Sequence, residues 1–327
     1  MILAGDIGGT NSRLAVFEVL ENRLKPRTIK TYPSKEYESL DDIIRLFTSE
    51  HPFPIDSACI AIAGPVTKGQ VATTNLAWLI DANRLAGQLG LEQFGLINDL
   101  EAIGYGIHEL NKEDVVVLGE GARDSTGNLA IIAAGTGLGQ AGCYWDGVDH
   151  QPFACEGGHA DFAPRNQIEV ELLNYLLEKF DRVSYERILS GFGLFEIYKF
   201  LHHTGLGDEP GDLTQVIYQQ AHPAPIVRAA IENRSETCRQ ALTLFVSIYG
   251  AEAGNLALKV MAMGGVYIGG GIAPKILPYL QGPQFMQSFT AKGRMRPLLE
   301  SMPVRIILNE KTGLLGAARY ASLLNRP

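Results

Sequence analysis

The sequence predicts an α/β fold of two domains. Three observations carry this: strand-like and helix-like segments alternate, a hairpin with a glycine and threonine tip occurs twice, and 327 residues suffice for two cores of ordinary size. Apolar residues make up 46% of the chain and charged residues 20%, the proportions of a globular protein rather than a disordered or fibrous one.

The first hairpin opens the chain. Ile2 to Val19 reads as a strand, the turn of GDIGGTNSRLAV, and a second strand whose LAVFEV supplies β-branched and aromatic residues. SLDDIIRLFTSE follows as a helix: Ser39 opens it, Leu40, Ile43, Ile44 and Phe47 fall at helical spacing, and Asp41 and Asp42 sit where the helix dipole favours acids. ACIAIAG is a buried strand. FGLI from Phe94 is another, running directly into a helix, NDLEAIGYGIHEL, that starts at Asp99. NLAIIAAGTGLGQAGCYW from Asn128 repeats the hairpin design, without an acid to match Asp6. Helices then dominate from about Glu169 to Met263, including VELLNYLLEKF and a Leu-, Ala- and Val-rich run from Ser235. VYIGGGIAPKIL is a strand that breaks into three glycines before a helix whose first turn accepts Pro274. VRIIL is a final strand and TGLLGAARYASLL a final helix. HTGLGDEPGDL from His203 and QGPQFMQSFTAKGRMRP from Gln281 read as exposed connections or mobile flaps, from their turn residues and mixed charge. The duplicated hairpin sets the division, with residues 1–110 and 309–327 in a small domain and 111–308 in a large one.

A formal charge of -8, a pI near 5.4 and the lack of a basic cluster argue against a nucleic-acid partner. MILAGDIGGT has no positive flank and meets Asp6 early, so no targeting segment is expected and the chain is expected in the cytoplasm. NLALKVMAMGGVYIGGGIAP contains Lys259 and ends at Pro274, which suits a buried helix and strand better than a membrane span. Cys59, Cys143, Cys155 and Cys238 are far apart with no CxxC pair, so neither a disulfide framework nor a zinc knuckle is expected.

Individual residues leave alternatives open. A glycine pair followed by Asn11 suits any hairpin, but Asp6 and Thr10 exceed that need: a carboxylate and a hydroxyl beside exposed amides equip a site for metal-bound phosphate. Asp99 is either a helix N-cap or a general base, since open α/β sheets place active sites where strands end and helices begin. CEGGHADF offers Cys155, Glu156, His159 and Asp161 as metal candidates, against the commoner role of a surface histidine in a glycine turn. Unaided, Glu186 reads as a solvated helix charge. Thr74 and Asn75 read as a polar loop before the bulk of Trp78, Asn98 as a turn former, and Gly269, Gly270 and Gly271 as a tight connection.

In combination the GGT, GTG and GGG turns resemble the two phosphate segments and the adenosine segment of the hexokinase, Hsp70 and actin ATPase superfamily. Within it, the chain resembles the bacterial glucokinases through GDIGGTNSRLA, TNLAW, LINDLEAIGYG, AAGTGLGQA, EGGHADFAP, VSYERILSG, GGVYIGGGIAP and TGLLGAARY, nearly end to end. The resemblance implies two actin-like (ribonuclease H-like) α/β domains with a cleft between them, and phosphorylation of glucose at its 6-hydroxyl by ATP. It implies Asp99 as general base, with Thr74, Asn75, Asn98, Asp99, Gly137, Glu156, His159 and Glu186 on the sugar side. Around ATP it implies Asp6, Gly8, Gly9, Thr10, Asn11, Gly135, Thr136, Gly137, Gly269, Gly270 and Gly271, with Asp6 positioning Mg²⁺ through water. Glycines there, and at Gly139, let backbone approach phosphate; without a GxxxxGK[ST] lysine, the metal and amide dipoles carry the neutralisation. Relatives often carry a cysteine-rich zinc loop after the matching histidine; here DFAPRNQ follows, which favours the zinc-free branch. A homodimer is implied, with glucose and ATP as partners and neither nucleic acid nor membrane. The alternatives are a kinase for another hexose or amino sugar, and a sugar-responsive regulator, a class with an N-terminal DNA-binding module where this chain enters its hairpin at Gly5.

Overall fold

The computed structural model describes residues 1–21, 23–73, 76–123, 125–205 and 211–324; Thr74 and Asn75 lie outside the described residues. The chain divides into two compact units, Met1–Asp114 with Asp146–Ala154 and Asn309–Pro327, and Val115–Trp145 with Cys155–Leu308.

The first unit contains β1 (Ile2–Ile7), β2 (Asn11–Leu20), β3 (Arg23–Pro33), α1 (Leu40–Glu50), β4 (Ser57–Ile62), β5 (Gln70–Ala72), β6 (Leu79–Asp81), α2 (Ala82–Leu89), β7 (Gly95–Asn98) and α3 (Asp99–Gly106). Its main sheet has the order β3-β2-β1-β4-β7, antiparallel through the hairpin strands and parallel from β1 to β7. Strands covered on both faces are buried along nearly their whole length and read as largely apolar runs, as β1 and β4 show, Asp6 being the charged exception. Alternate side chains enter opposite layers. Leu3, Ile7, Leu14 and Val16 pack with Leu40, Ile43, Ile44 and Phe47 of α1, whose N-terminus is capped by Ser39 as expected, Asp42 N donating to its Oγ at 3.2 Å.

The second unit contains β8 (Val115–Gly119), β9 (Leu129–Ala134) and β10 (Leu138–Trp145); β11 (His150–Cys155) crosses the boundary. Its helices are α4 (Gln167–Leu177), α5 (Gly191–His203), α6 (Gly211–Gln220), α7 (Pro223–Ile231), α8 (Glu236–Val260), α9 (Leu277–Leu280), α10 (Pro283–Thr290) and α11 (Arg296–Glu300). β12 (Gly265–Gly269) and β13 (Val304–Ile307) complete its strands, and α12 (Thr312–Leu324) returns to the first unit. The hairpin scheme recurs: β10 is antiparallel to β9, which is parallel to β12, which is parallel to β13. α8 is long and apolar enough to cross a membrane by composition, yet it is buried as a core helix, and β12 follows it as the apolar run predicts.

The segment from Gln281 is not an exposed connection. It forms α10 and α11, with Phe285 and Phe289 fully buried. α10 seats against α8 at two glycines: a Cβ at Gly250 would lie 2.2 Å from Phe285 O, and one at Gly254 2.5 Å from Phe289 O. Short helices with Pro in the first turn, Gly282-Pro283 before α10 and Arg296-Pro297 in α11, carry turn chemistry at their starts, which hid them. Of HTGLGDEPGDL, residues 206–210 lie outside the described residues, and α6 begins at Gly211.

The same device joins α3 to α12. A Cβ at Gly316 would sit 1.7 Å from Ala102 O, and one at Gly106 2.1 Å from Thr312 O. Ala102, Ala317, Ala318 and Ala321 complete this small-residue layer with Ile2 and Ala4 on the other face of the sheet. Gly316→Ala must therefore separate the helices and cost about 1–3 kcal/mol of stability. Gly87→Ala in α2, where an added Cβ meets nothing within 4 Å, should instead stabilise by about 0.5–1 kcal/mol. Denaturant melts of the two variants check the opposite signs.

Candidate functional site

In the first unit, the parallel strands β1, β4 and β7 share one carboxyl end of the sheet, where Asp6 and Asp99 stand. Asp6 follows Ile2 and Ala4 on the face covered by α12, and a Cβ at Gly313 near that helix's N-terminus would be 3.6 Å from its carboxyl carbon. Burial raises the Asp6 carboxyl from 3.8 to about 6; its cross-strand partner Arg13 pulls it down and Asp99 pushes it further up. A half-buried acid held between burial and a neighbouring acid gains from a cation, so the residues fit one. Among the described residues no three His, Cys, Asp or Glu side chains converge, so a hard ion here would keep much of its water.

Asp99 is the first residue of α3 but not its cap. Asn98 is: its Oδ1 accepts from Leu100 N at 2.9 Å, and Glu101 Oε2 accepts from Asn98 N at 2.9 Å, a reciprocal capping box. Asp99 is half-buried, with Oδ1 3.0 Å from the same Leu100 N. Asn98 Nδ2 also donates to Gly64 O at 3.2 Å, which leaves Asn98 one N–H and limited acceptor capacity for a sugar.

The first turn is pinned from beneath by Ser34, a residue the sequence reading passed over. Its hydroxyl donates to Gly8 O at 2.8 Å and lies 2.9 Å from Ser12 Oγ, while its N–H donates to Thr10 O at 2.9 Å. Gly8 N donates to Asn11 O at 2.9 Å, and Thr10 and Asn11 are left exposed at the tip, with Gly9 beside them half-buried.

In the second unit the corresponding turn is Gly135–Thr136–Gly137; Gly139 lies in β10, paired with Ala133, and not in the turn. Gly135 N donates to Gly137 O at 2.8 Å, and Gly191 N, at the start of α5, donates to Gly135 O at 2.9 Å. An added Cβ at Gly135 would meet nothing within 4 Å, and Thr136 is exposed. Gly137 is different: a Cβ there would sit 2.4 Å from Glu186 Oε2, the oxygen that accepts from Leu138 N at 2.9 Å. Glu186 is thus no solvated helix charge. It occupies a 3₁₀ turn, Tyr185–Arg187, and its carboxylate ties that turn to the glycine turn.

The glycines of EGGH serve close approach as well as turning. Cβ atoms at Gly157 and Gly158 would come within 2.1 Å of Gln140 Oε1 and 2.0 Å of Leu138 O, so the segment lies directly on β10. Glu156 and His159 are exposed, with Oε2 and Nε2 4.0 Å apart. Arg182, missed in the sequence, donates to His159 O at 2.6 Å and to Asp161 Oδ1 at 2.7 Å. His159 and Glu186 share a polar depression of about 410 Å³ with Lys179, Arg182, Ser184 and Arg187. At the third turn Gly269 ends β12, and Gly270 adopts φ +83° with space for no Cβ, which would be 2.3 Å from Ala134 O; at Gly271 an added Cβ meets nothing within 4 Å.

The family model described as Glucokinase matches residues 3–324. The glucokinase of Nostoc punctiforme is 47% identical over 339 residues, covering 99% of each chain. The crystal structure of glucokinase from an Antarctic psychrotroph superposes with a TM-score of 0.85 at 31% identity, covering 98% of each chain. A ROK family glucokinase from Streptomyces griseus, in complex with glucose and AMPPNP, shares the fold with a TM-score of 0.63 at 21% identity, over 98% of this chain and 99% of that one.

The raised Asp6 carboxyl has a consequence for stability. An acid whose folded value lies above its unfolded one contributes stability below the unfolded value and loses it as pH rises through the folded value, here about 6. Asp6→Asn should therefore raise the melting temperature of the ligand-free protein at about pH 8 and do so less at about pH 4. Thermal melts at both pH values check this; equal effects at both would contradict it.

Proposed function

The chain belongs to the glucokinase family, and on that premise we propose that it transfers the terminal phosphoryl group of ATP to the 6-hydroxyl of glucose, giving glucose 6-phosphate and ADP. The position of Asp99 carries the reading: a half-buried carboxylate at the first turn of α3, beside the Asn98 cap, at the carboxyl end of the parallel strands it shares with Asp6.

In this reading the two units are the two domains that close on the substrates, and closure precedes chemistry. Glu156, His159 and Glu186 engage the hexose hydroxyls, so that an epimer leaves buried polar groups unpaired. Asn98 contributes its remaining N–H, and Thr74 and Asn75 belong to the same sugar wall. Asp99 accepts the proton of the 6-hydroxyl as that oxygen attacks. Amides of the turns at Gly8–Asn11 and Gly135–Gly137 stabilise the charge spreading over the transferred group, while Gly269–Gly271 admits the nucleoside. Asp6 is the residue that would hold Mg²⁺, through water; when bound with the nucleotide, the ion supplies neutralisation of phosphate charge. A cytoplasmic homodimer completes the proposal.

Asp99→Asn should lower kcat about a hundredfold to ten-thousandfold, with the glucose KM and the melting temperature little changed. Coupled assays of ADP release, with and without glucose, read this directly. Near-wild-type turnover would remove Asp99 from the base role. Glucose-independent ADP release, or faster release with mannose or an amino sugar, would redirect the substrate assignment.

A further inference from the structure

The parallel ladder between β9 and β12 ends at the pair Ala133 and Gly269. Beyond it the two chains stay in contact, Ile272 N donating to Ala134 O at 3.2 Å, as they turn in different directions. One continues into the turn at Gly135–Gly137, the other into Gly269–Gly271, the two turns assigned to phosphate and nucleoside under the reading above. A side chain from outside both turns reaches the end of this ladder: Tyr249 of α8, which is fully buried.

Its hydroxyl accepts from Ala134 N at 3.2 Å and faces Ile132 O at 3.2 Å and Gly269 O at 3.5 Å, either of which can take its proton. Ala134 N is the first amide past the ladder, and its carbonyl is held separately by Ile272 N at 3.2 Å. The ring cannot easily relocate: it packs edge-on against Phe245 and Phe285, with centroids 6.0 and 5.8 Å away. Gly250, the next residue, presses on Phe285 O of α10. A phenol in the low-polarity core thus bonds the backbone of both strands at the level where their turns begin, and burial pushes its ionisation well above the ordinary value, so it stays a neutral donor and acceptor.

From this juxtaposition we infer that Tyr249 is a positioning residue for the nucleotide, fixing the spacing of the phosphate turn at Gly135–Gly137 and the nucleoside turn at Gly269–Gly271 without touching the ligand. The inference rests on the ATP-dependent reading of these turns. It separates Tyr249 from its aromatic neighbours, which fill the same core without bonding either strand.

Tyr249→Phe in the full chain removes the hydroxyl and keeps the ring; Phe285→Leu perturbs the same core and keeps the hydroxyl. Tyr249→Phe should raise both the KM for ATP and the calorimetric Kd for ADP with Mg²⁺ by about five- to tenfold, the size of one lost buried hydrogen bond, and leave the glucose KM within about twofold. Phe285→Leu should lower the melting temperature and leave nucleotide affinity near wild type. Should Tyr249→Phe not fold, hydrogen exchange on the wild-type protein decides: the Ala134 amide should exchange slowly and slow further with ADP. Unchanged nucleotide affinity in Tyr249→Phe, equal nucleotide defects in both variants, or a fast Ala134 amide indifferent to ADP would overturn the inference. A wild-type protein that binds ADP but does not phosphorylate glucose would count against the substrate reading alone, and the ADP affinities would still decide the role of Tyr249.

Discussion

Two carboxylates at the carboxyl end of the parallel strands of a mixed sheet, Asp6 and Asp99, set the constraint on which the reading of the first unit depends. Each is half-buried, and the charge of one opposes the charge of the other. The fold answers with Arg13 across the hairpin, and the first turn of α12 lies beside Asp6. These responses are incomplete, and the Asp6 carboxyl remains near 6. An acid left in that condition by so much surrounding structure is suited to a positively charged visitor. A cation bound there would recover the stability forgone in the free protein.

Missing Cβ atoms provide the complementary constraint. At Gly137, Gly157, Gly158 and Gly270 an added carbon would collide with a carboxylate, an amide oxygen or a carbonyl, so these glycines mark places where segments lie directly on one another. The consequence is connection. Glu186 reaches Leu138 N because residue 137 has no side chain, and the EGGH segment rests on β10 because residues 157 and 158 have none. Groups read as belonging to sugar and groups read as belonging to phosphate are therefore held by the same backbone. Away from the site, Gly106 and Gly316 allow α3 and α12 to touch, which fixes the helix that carries Asp99.

Local chemistry in the sequence was enough to read some of this. Ser39 and the spacing of Leu40, Ile43, Ile44 and Phe47 gave α1, and the two glycine and threonine hairpins marked the repeated topology, because capping and periodicity act within a few residues. What depended on distant partners was not legible. Asn98 and Asp99 are both good caps; the local Asn98-x-x-Glu101 spacing that decides between them was overlooked, whereas the Asn98 bond to Gly64 O, 34 residues away, was not visible. Glu186 looked solvated because its partner, Leu138 N, lies 48 residues away. Tyr249 had one visible signal, a hydroxyl inside the apolar run LFVSIYGAEAG, and α10 was masked by the Gly-Pro pair that starts it.

Carboxyl-selective ¹³C NMR of the Asp6 side chain, assigned through its disappearance in Asp6→Asn, measures the central constraint directly. Titration of the free protein should place Asp6 near 6, and the Mg²⁺ complex of ADP should move it downward as the added positive charge favours the ionised form. A free-protein value at the ordinary 3.8, or one that the metal nucleotide leaves unmoved, would contradict the account.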